Sequence, residues 1–266
     1  MDNRPVLFLD SGVGGLPYCR DFLKRNPKEG VCYLADRGNF PYGPRGKEEL
    51  ASILIKLTEK LLKTVNPKIV VLACNTATVS ALAALRQNFP RISFVGTVPA
   101  IKPAANACKS GKVGVLGSAR TIEDVHSLNL AQTCEIFGVS APELVEFVEE
   151  RFENADENEK TNIVKKYVSL FRAEGADTLV LGCTHFLYLL EEFRREASPF
   201  IKVFDSIDGI TKRIEYLLDE NSGAIRAEKN LHPVNRFLLT GTQPPEIKWQ
   251  GYAQALGFKL NLLSEL

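Results

Sequence analysis

Two cysteines in this chain of 266 residues stand in matching surroundings. Each ends one apolar run and is followed by polar side chains and a second apolar stretch: Cys74 lies in IVVLACNTAT and Cys183 in TLVLGCTHFL. These runs predict a buried strand that ends at the cysteine and a helix that begins after it. The unpaired amides of a helix N-terminus favour a thiolate or a bound carboxylate. A single such cysteine is more often a small buried hydrophobe, but the matching pair favours a chemical role.

The cysteine spacing restricts the chemistry that these thiols could share. The six cysteines, at positions 19, 32, 74, 108, 134 and 183, include no CxxC pair and no Cys/His cluster with zinc spacing. A stereochemical inversion needs a base on one face of a carbon and an acid on the other, and two similar thiols meet that need. Asn75, Thr76, Thr184 and the helix-start amides are suited to stabilise charge on a carboxylate. The residues therefore predict proton transfer at the Cα of an amino acid.

Two other classes of function stay open on these residues. Cys183 and His185 could act as the nucleophile and base of a hydrolase or transferase, which would leave Cys74 without a role. The chain could also be a cytosolic amino-acid-binding protein that does not turn its ligand over. A trappable acyl-enzyme would favour the first, and binding of glutamate without turnover would favour the second.

Short β-branched runs alternate with longer amphipathic stretches along the chain, which predicts an α/β fold with largely parallel sheets. We predict strands at Val6–Leu9, Val31–Ala35, Ile69–Ala73, Ser93–Thr97, Lys112–Leu116, Thr178–Leu181 and Ile201–Phe204. Helical spacing of apolar residues predicts helices that include Lys47–Val65, Ala77–Asn88, Glu143–Glu150 and Glu159–Glu174.

A weak internal repeat indicates two domains. The segment FLDS at 8–11 is echoed by VFDS at 203–206, just as LACNT at 72–76 is echoed by LGCTH at 181–185. We therefore expect two pseudo-symmetric α/β domains that face each other across a cleft. The first would be discontinuous, with residues 1–97 plus 207–266, and the second would contain residues 98–206.

Composition excludes several classes of protein. The 33 basic residues nearly balance 32 acidic ones, which argues against a nucleic-acid partner. No apolar run reaches the roughly 18 residues of a membrane span, so we expect no membrane partner. The chain reaches an apolar strand at Val6 without a signal peptide before it, and we expect a cytoplasmic protein.

Five blocks in this chain resemble the signature segments of the glutamate racemases, in the aspartate/glutamate racemase family. They are DSGVGGL at 10–16, NFPYG at 39–43, ACNTAT at 73–78, GTVPA at 96–100 and LGCTHF at 181–186, in the order found in that family. The resemblance covers roughly residues 6–210. Aspartate and hydantoin racemases are siblings, and a related substrate such as aspartate remains the alternative.

The resemblance implies that L-glutamate is converted to D-glutamate for peptidoglycan synthesis, without a cofactor or a metal, by a homodimer. Cys74 and Cys183 would be the acid/base thiols, assisted by Asp10, His185 and Glu149. Glu146 is the alternative to Glu149, and Asp36 is a further candidate helper. The implied substrate-binding residues are Asp10, Ser11, Pro41, Tyr42, Gly43, Cys74, Asn75, Thr76, Thr121, Cys183, Thr184 and His185.

The chain also departs from the family pattern in three places. Leu187 stands where the family usually has a proline, and Ser118 stands where a threonine is common. The tail beyond about residue 225 resembles the closing strand and helix of the family only loosely. The two single-residue departures, Leu187 and Ser118, bear on rate and substrate fit more than on the type of reaction.

Overall fold

The computed structural model describes residues 2–127, 134–219, 226–227, 233 and 235–265. Contacts between Cα atoms divide the chain into two compact units. The first unit contains Met1–Thr97 and Ile207–Leu266, and the second contains Val98–Ser206. Among the described residues, no helix combines the length and the apolar composition that a membrane crossing requires.

Strands and helices alternate along both units. The strands are β1 (Val6–Asp10), β2 (Val31–Ala35), β3 (Ile69–Leu72), β4 (Ser93–Gly96), β5 (Lys112–Gly117), β6 (Glu135–Ser140), β7 (Thr178–Gly182), β8 (Lys202–Phe204), β9 (Arg236–Leu239) and β10 (Lys259–Leu262). The α-helices are α1 (Leu16–Arg25), α2 (Lys47–Thr64), α3 (Asn75–Asn88), α4 (Ile101–Ala107), α5 (Ala119–Ser127), α6 (Pro142–Glu150), α7 (Glu157–Ala173), α8 (Leu190–Ala197), α9 (Ile207–Leu218) and α10 (Ile247–Ala255).

The first unit is built on a parallel sheet with the strand order β10-β9-β2-β1-β3-β4. The central strands are apolar and buried along their whole length, because helices cover a sheet of this kind on both faces. Leu9 of β1 is in register with Leu72 of β3, and Asp10 is in register with Ala35 of β2. The carboxyl ends of β1, β2 and β3 therefore lie side by side at one edge of the sheet.

The second unit contains a parallel sheet with the order β6-β5-β7-β8. Gly117 at the end of β5 is in register with Gly182 at the end of β7, so these two strand ends also share an edge. Helix α7 packs closely on β5: a Cβ on Gly114 would lie 2.4 Å from the ring of Phe171. The packing of that ring on the sheet therefore depends on glycine at position 114.

The predicted α/β class with parallel sheets is confirmed, and several elements differ in detail. Strands β6, β9 and β10 were not predicted. The edge strands β6 and β10 are only half-buried and lack a continuous apolar run, and β9 has only four residues. Helix α3 begins at Asn75, two residues before the predicted start. We predicted a helix after Thr184 and His185; the chain first forms a 3-10 helix, Thr184–Leu189, and α8 begins at Leu190.

Candidate active site

Asp10 is the last residue of β1 and is fully buried. Its carboxylate Oδ1 accepts a hydrogen bond from the backbone N–H of Gly12, with an N–O distance of 2.7 Å. Helix α1 begins later and is capped by Gly15, so Asp10 closes the turn after the strand and does not cap the helix. Ser11, also buried, lies within that turn.

Close backbone packing brings this turn against the end of β3. A Cβ on Gly15 would lie 2.7 Å from the Cβ of Ala73 and 3.1 Å from the Cβ of Asp10. The backbone N–H of Ala73 donates to the carbonyl of Leu9 over 2.8 Å. Asp10 is therefore held next to the residue that precedes Cys74, and glycine at position 15 permits that approach.

Cys74 has an extended backbone and occupies the position before the first turn of α3. Its carbonyl accepts a hydrogen bond from the N–H of Thr78, and 7% of its surface is exposed. Asn75 and Thr76 form the start of the helix and are buried beside it. The thiol thus lies at a helix N-terminus, where backbone amides point outward and favour negative charge.

Asp36, directly after β2, is the centre of a buried hydrogen-bond network. Its carboxylate accepts from the Tyr42 hydroxyl over 2.6 Å, from the Asn39 amide over 3.0 Å and from the Thr240 hydroxyl over 2.5 Å. Burial, followed by the charge and hydrogen bond of Asp36, raises the pKa of Tyr42 well above its ordinary value, and Cys74 and Asp10 contribute to that rise. Tyr42 is therefore a neutral phenol at physiological pH.

In the segment at 41–43, the central residue is buried and the residues on either side of it are exposed. The Tyr42 side chain is 1% exposed, whereas Pro41 and Gly43 are both exposed. The Tyr42 carbonyl accepts from the N–H of Arg45 and closes a turn before α2. Pro41 and Gly43 are thus accessible to a ligand on a loop that the buried phenol fixes.

Cys183 in the second unit has the same extended backbone at the start of the 3-10 helix and is half-buried. Its Sγ lies 3.8 Å from Nδ1 of His185, and Nε2 of that histidine lies 2.8 Å from Oε1 of Glu149 on α6. Burial alone would lower the pKa of His185, but the hydrogen bonds and charges of Cys183 and Glu149 raise it well above its ordinary value. These contacts therefore favour the charged form of the imidazole, which lies between Cys183 and the carboxylate of Glu149.

The two glutamates that the sequence left as alternatives occupy different positions on α6. Glu149 is buried against His185, whereas Glu146 is exposed. Helix α6 buries Leu144, Phe147 and Val148, and Glu149 extends this buried face by one residue. Only Glu149 is hydrogen-bonded to the histidine beside the thiol.

The remaining predicted site hydroxyls of the second unit, Thr121 and Thr184, lie near the carboxyl ends of β5 and β7. Thr184 follows Cys183 and is 1% exposed. Thr121, equally buried, donates its backbone N–H to Oγ of Ser118, and the two hydroxyl oxygens are 3.0 Å apart. Ser118 thus caps the first turn of α5.

The predicted site residues thus fall into two groups at strand ends, one in each unit. The first is Asp10, Ser11, Pro41, Tyr42, Gly43, Cys74, Asn75 and Thr76, and the second is Thr121, Glu149, Cys183, Thr184 and His185. Their roles stay predictions. Thr240, which contacts Asp36, was not singled out, although FLLTG at 237–241 repeats the pattern of an apolar strand followed by a hydroxyl. Within the described parts of the chain, no three His, Cys, Asp or Glu side chains are grouped so that they could hold a metal ion.

Comparison with known proteins identifies the family. The family model for Asp/Glu/hydantoin racemase matches residues 26–213. A glutamate racemase from Roseiflexus sp. (strain RS-1) is 38% identical over 243 residues, which are 90% of this chain and 88% of that protein. A glutamate racemase from Bartonella henselae is 37% identical over 226 residues, which are 83% of this chain and 84% of that protein.

Solved structures agree with the sequence relatives. The crystal structure of Escherichia coli glutamate racemase in complex with L-glutamate and the activator UDP-MurNAc-Ala superposes with a TM-score of 0.84 at 30% identity, over 97% of each chain. A glutamate racemase isoform from Bacillus anthracis superposes with a TM-score of 0.78 at 30% identity, over 98% of this chain and 97% of that one. The chain therefore belongs to the Asp/Glu/hydantoin racemase family, in its glutamate racemase branch, and is an amino-acid racemase, an isomerase.

Proposed function

We propose that this chain interconverts L- and D-glutamate by proton transfer at Cα between the substrate and two cysteines, Cys74 and Cys183, without a cofactor. The observation that supports this most strongly is the matching position of the two thiols. Each follows the carboxyl end of a parallel strand and precedes a helical N-terminus. Ligands of open α/β sheets bind at such strand ends, because helix N-termini and polar loop residues meet there.

The reaction proceeds in two proton transfers. The thiolate of one cysteine removes the α-proton and becomes a thiol, and the electron pair of the broken C–H bond is delocalised into the substrate carboxylate. The thiol of the other cysteine then donates its proton to the opposite face of the carbon and becomes a thiolate. The product is the other enantiomer, and the two cysteines have exchanged their protonation states.

The neighbours of each thiol supply different assistance in this mechanism. The charged imidazole of His185 stabilises a thiolate on Cys183, and Glu149 holds the imidazole in that form. In the first unit, Asp10 lies close to the Cys74 strand end and orients the turn beside it. Hydroxyl, amide and backbone donors from Ser11, Asn75, Thr76, Thr121 and Thr184 stabilise the charge that builds up on the carboxylate, together with the N–H of Gly43 on the exposed loop. Pro41 contacts the substrate from the same loop.

Hydrogen exchange tests the two-thiol mechanism directly. The purified chain in D2O should exchange the α-proton of either enantiomer of glutamate without added pyridoxal phosphate, as measured by NMR, while circular dichroism follows racemisation. Cys74→Ala should stop exchange from one enantiomer and Cys183→Ala from the other, and both variants should lose racemisation. Cys108→Ala, a half-buried cysteine outside both groups, is the matched control and should keep wild-type rates.

Three outcomes would contradict or correct the proposal. Exchange that persists in the Cys74→Ala/Cys183→Ala double variant would remove the two-thiol mechanism. Turnover of L-aspartate in preference to glutamate would instead correct the substrate, and calorimetric binding of glutamate without turnover would favour a binding protein.

We extend the proposal to the setting of the enzyme. D-glutamate produced in this way would supply peptidoglycan synthesis, and the test is growth rescue of a bacterium that requires external D-glutamate. Both thiols must remain reduced, which a cytoplasmic location provides. The resemblance to the family further supports a homodimer, which sedimentation equilibrium would detect as twice the chain mass.

A further inference from the structure

Thr240, at the end of β9, is hydrogen-bonded on several sides to the segment after β2. Its hydroxyl accepts a hydrogen bond from the N–H of Gly38 over 2.9 Å and donates to Oδ1 of Asp36 over 2.5 Å. Its N–H donates to the carbonyl of Ala35, and its carbonyl accepts from Nε of Arg37. Because the N–H of Gly38 donates a hydrogen bond to the hydroxyl oxygen of Thr240, the hydroxyl hydrogen is directed to the carboxylate of Asp36.

The contact requires close approach of two backbone segments. A Cβ on Gly38 would lie 3.2 Å from the Thr240 hydroxyl oxygen and 3.2 Å from the backbone nitrogen of Gly241. Gly241 itself has a φ of +91°, a conformation that other residues rarely adopt. The chain thus uses glycine at both positions to bring the Thr240 hydroxyl to Asp36.

Asp36 connects Thr240 to the loop at 41–43. Its other oxygen, Oδ2, accepts from the buried hydroxyl of Tyr42, the anchor of the loop that exposes Pro41 and Gly43. Loss of the Thr240 hydroxyl would remove a charge-assisted hydrogen bond from a carboxylate with no exposed surface. The carboxylate would then shift toward the amide of Asn39, and the Tyr42 hydroxyl that is hydrogen-bonded to it would move as well.

We propose that Thr240 is a positioning residue for substrate binding, which acts through Asp36 and Tyr42 to fix the loop at 41–43. The inference rests on the proposed function, because the loop is assigned to substrate there. It gives the C-terminal tail, where the family resemblance is loose, a defined part in the site. Thr240 acts on binding more than on proton transfer, because its hydrogen bonds lead through Asp36 to Tyr42, which anchors the loop, although Tyr42 also lies near Cys74.

The test replaces the hydroxyl without changing the shape of the side chain. Thr240→Val should raise the KM for both enantiomers of glutamate about tenfold, the size expected for a lost hydrogen bond to a charged group, with kcat within about threefold of wild type. Thr240→Ser restores the hydroxyl and should return KM to within about twofold of wild type. Thr64→Val is the matched control, because the half-buried Thr64 donates its hydroxyl to the carbonyl of Lys60 within α2, outside the network of Asp36.

A double variant tests the route through Tyr42. If Thr240 acts through Asp36 and Tyr42, Thr240→Val should add less than about twofold to the KM of Tyr42→Phe. Multiplied effects in Thr240→Val/Tyr42→Phe would overturn the route. If Thr240→Val does not fold, Thr240→Ala and Thr240→Ser serve the same purpose, since they differ only in the hydroxyl.

The outcomes separate this inference from the proposed function. An active wild-type chain and a Thr240→Val variant with unchanged KM would overturn the inference alone. A lower melting temperature and lower kcat at unchanged KM would also overturn it, because they indicate a purely structural role. A wild-type chain that does not racemise glutamate would overturn both.

Discussion

Cys74 and Cys183 have the same backbone setting in their own units but different electrostatic surroundings. Both are extended residues between a parallel strand and a helical turn. Beside Cys183, a charged histidine is held by a buried carboxylate. Near Cys74 lie a neutral phenol, Tyr42, and, at the adjacent strand end, the carboxylate of Asp10. The comparison shows that the strand-end turn positions the thiol, whereas residues from other elements determine the charge around it.

The two carboxylates, Asp10 and Glu149, also reach their thiols in different ways. Asp10 belongs to the adjacent strand and reaches the Cys74 end through backbone packing at Gly15. Glu149 comes from α6, and the ring of His185 connects it to Cys183. We therefore expect the first thiol to be sensitive to backbone position and the second to side-chain charge.

We expect the largest loss of activity when the residue that assists either thiol, His185 or Asp10, is replaced. His185→Asn and Asp10→Asn should each lower kcat about 100-fold, the lower range for loss of acid–base assistance. Because the two enantiomers have equal free energy, kcat/KM must stay equal in both directions in every variant. The asymmetry should instead appear in isotope effects, measured with α-deuterated L- and D-glutamate.

The isotope effects have a definite pattern. When one thiol is impaired, its proton transfer limits the rate, so the enantiomer that it deprotonates should show the larger primary isotope effect. His185→Asn and Asp10→Asn should therefore enlarge the effect for opposite enantiomers. The same enantiomer affected in both variants would show that the two helpers do not act on separate thiols.

Backbone position at the first thiol can be tested at Gly15. Gly15→Ala would place a methyl group 2.7 Å from the Cβ of Ala73, so the strand end must move, and we expect a loss of about 1–3 kcal/mol in the free energy of unfolding. At the second strand end, a Cβ on Gly182 would lie 3.1 Å from the carbonyl oxygen of Leu116, and Gly182→Ala should cost less. Urea denaturation measures both.

Gly209 provides the control for the comparison of Gly15 with Gly182. Gly209→Ala, within α9, meets no atom within 4 Å and should be neutral or slightly stabilising. If Gly182→Ala proved more costly than Gly15→Ala, the proposed difference in backbone sensitivity between the two strand ends would be wrong.

Charge at the second thiol can be tested at Glu149. Glu149→Gln keeps a polar side chain of similar size beside His185 but removes the negative charge that favours the charged imidazole. We expect kcat to fall about tenfold, less than in His185→Asn, since the histidine still contacts the thiol. Glu146→Gln on the exposed face of α6 is the matched control, and an equal loss in both variants would contradict the assignment.

The sequence predicted the parts of the site that depend on local pattern. Apolar runs that end in Cys74 and Cys183 were sufficient to predict two strand-end thiols, and the structure has a strand end and a helical start at each. The choice between Glu146 and Glu149 stayed open, because the sequence does not show which side of a short helix faces the histidine. Once α6 is folded, its apolar residues determine that face.

Contacts between residues distant in the sequence could not be predicted from local pattern. Thr240 and Asp36 are 204 positions apart and meet only because β9 pairs with β2 in the sheet. Strand β9 has only four residues, RFLL, and lacks the alternation or length that predicts a strand from sequence. The hydrogen-bond network of Asp36 therefore became visible only with the sheet order.

The smallest effect concerns the pH dependence of stability. The folded state raises the pKa of His185 above the ordinary value of 6.5, so it binds that proton more tightly than the unfolded chain does. Below about pH 6.5 both states hold the proton and the stabilisation is fully present; it is lost as the pH rises through the folded pKa. The stability difference between wild type and His185→Asn should therefore be larger at pH 6 than at pH 9.

Tyr42 gives the corresponding measurement at the first thiol. Its pKa is raised from an ordinary value of 10.0, so the phenol is neutral in both the folded and the unfolded state between pH 6 and pH 9. The stability difference between wild type and Tyr42→Phe, measured by urea denaturation, should stay constant over that range. A pH-dependent difference for Tyr42→Phe, or a constant one for His185→Asn, would contradict the contrast between a charged and a neutral neighbour on which the comparison of the two thiols depends.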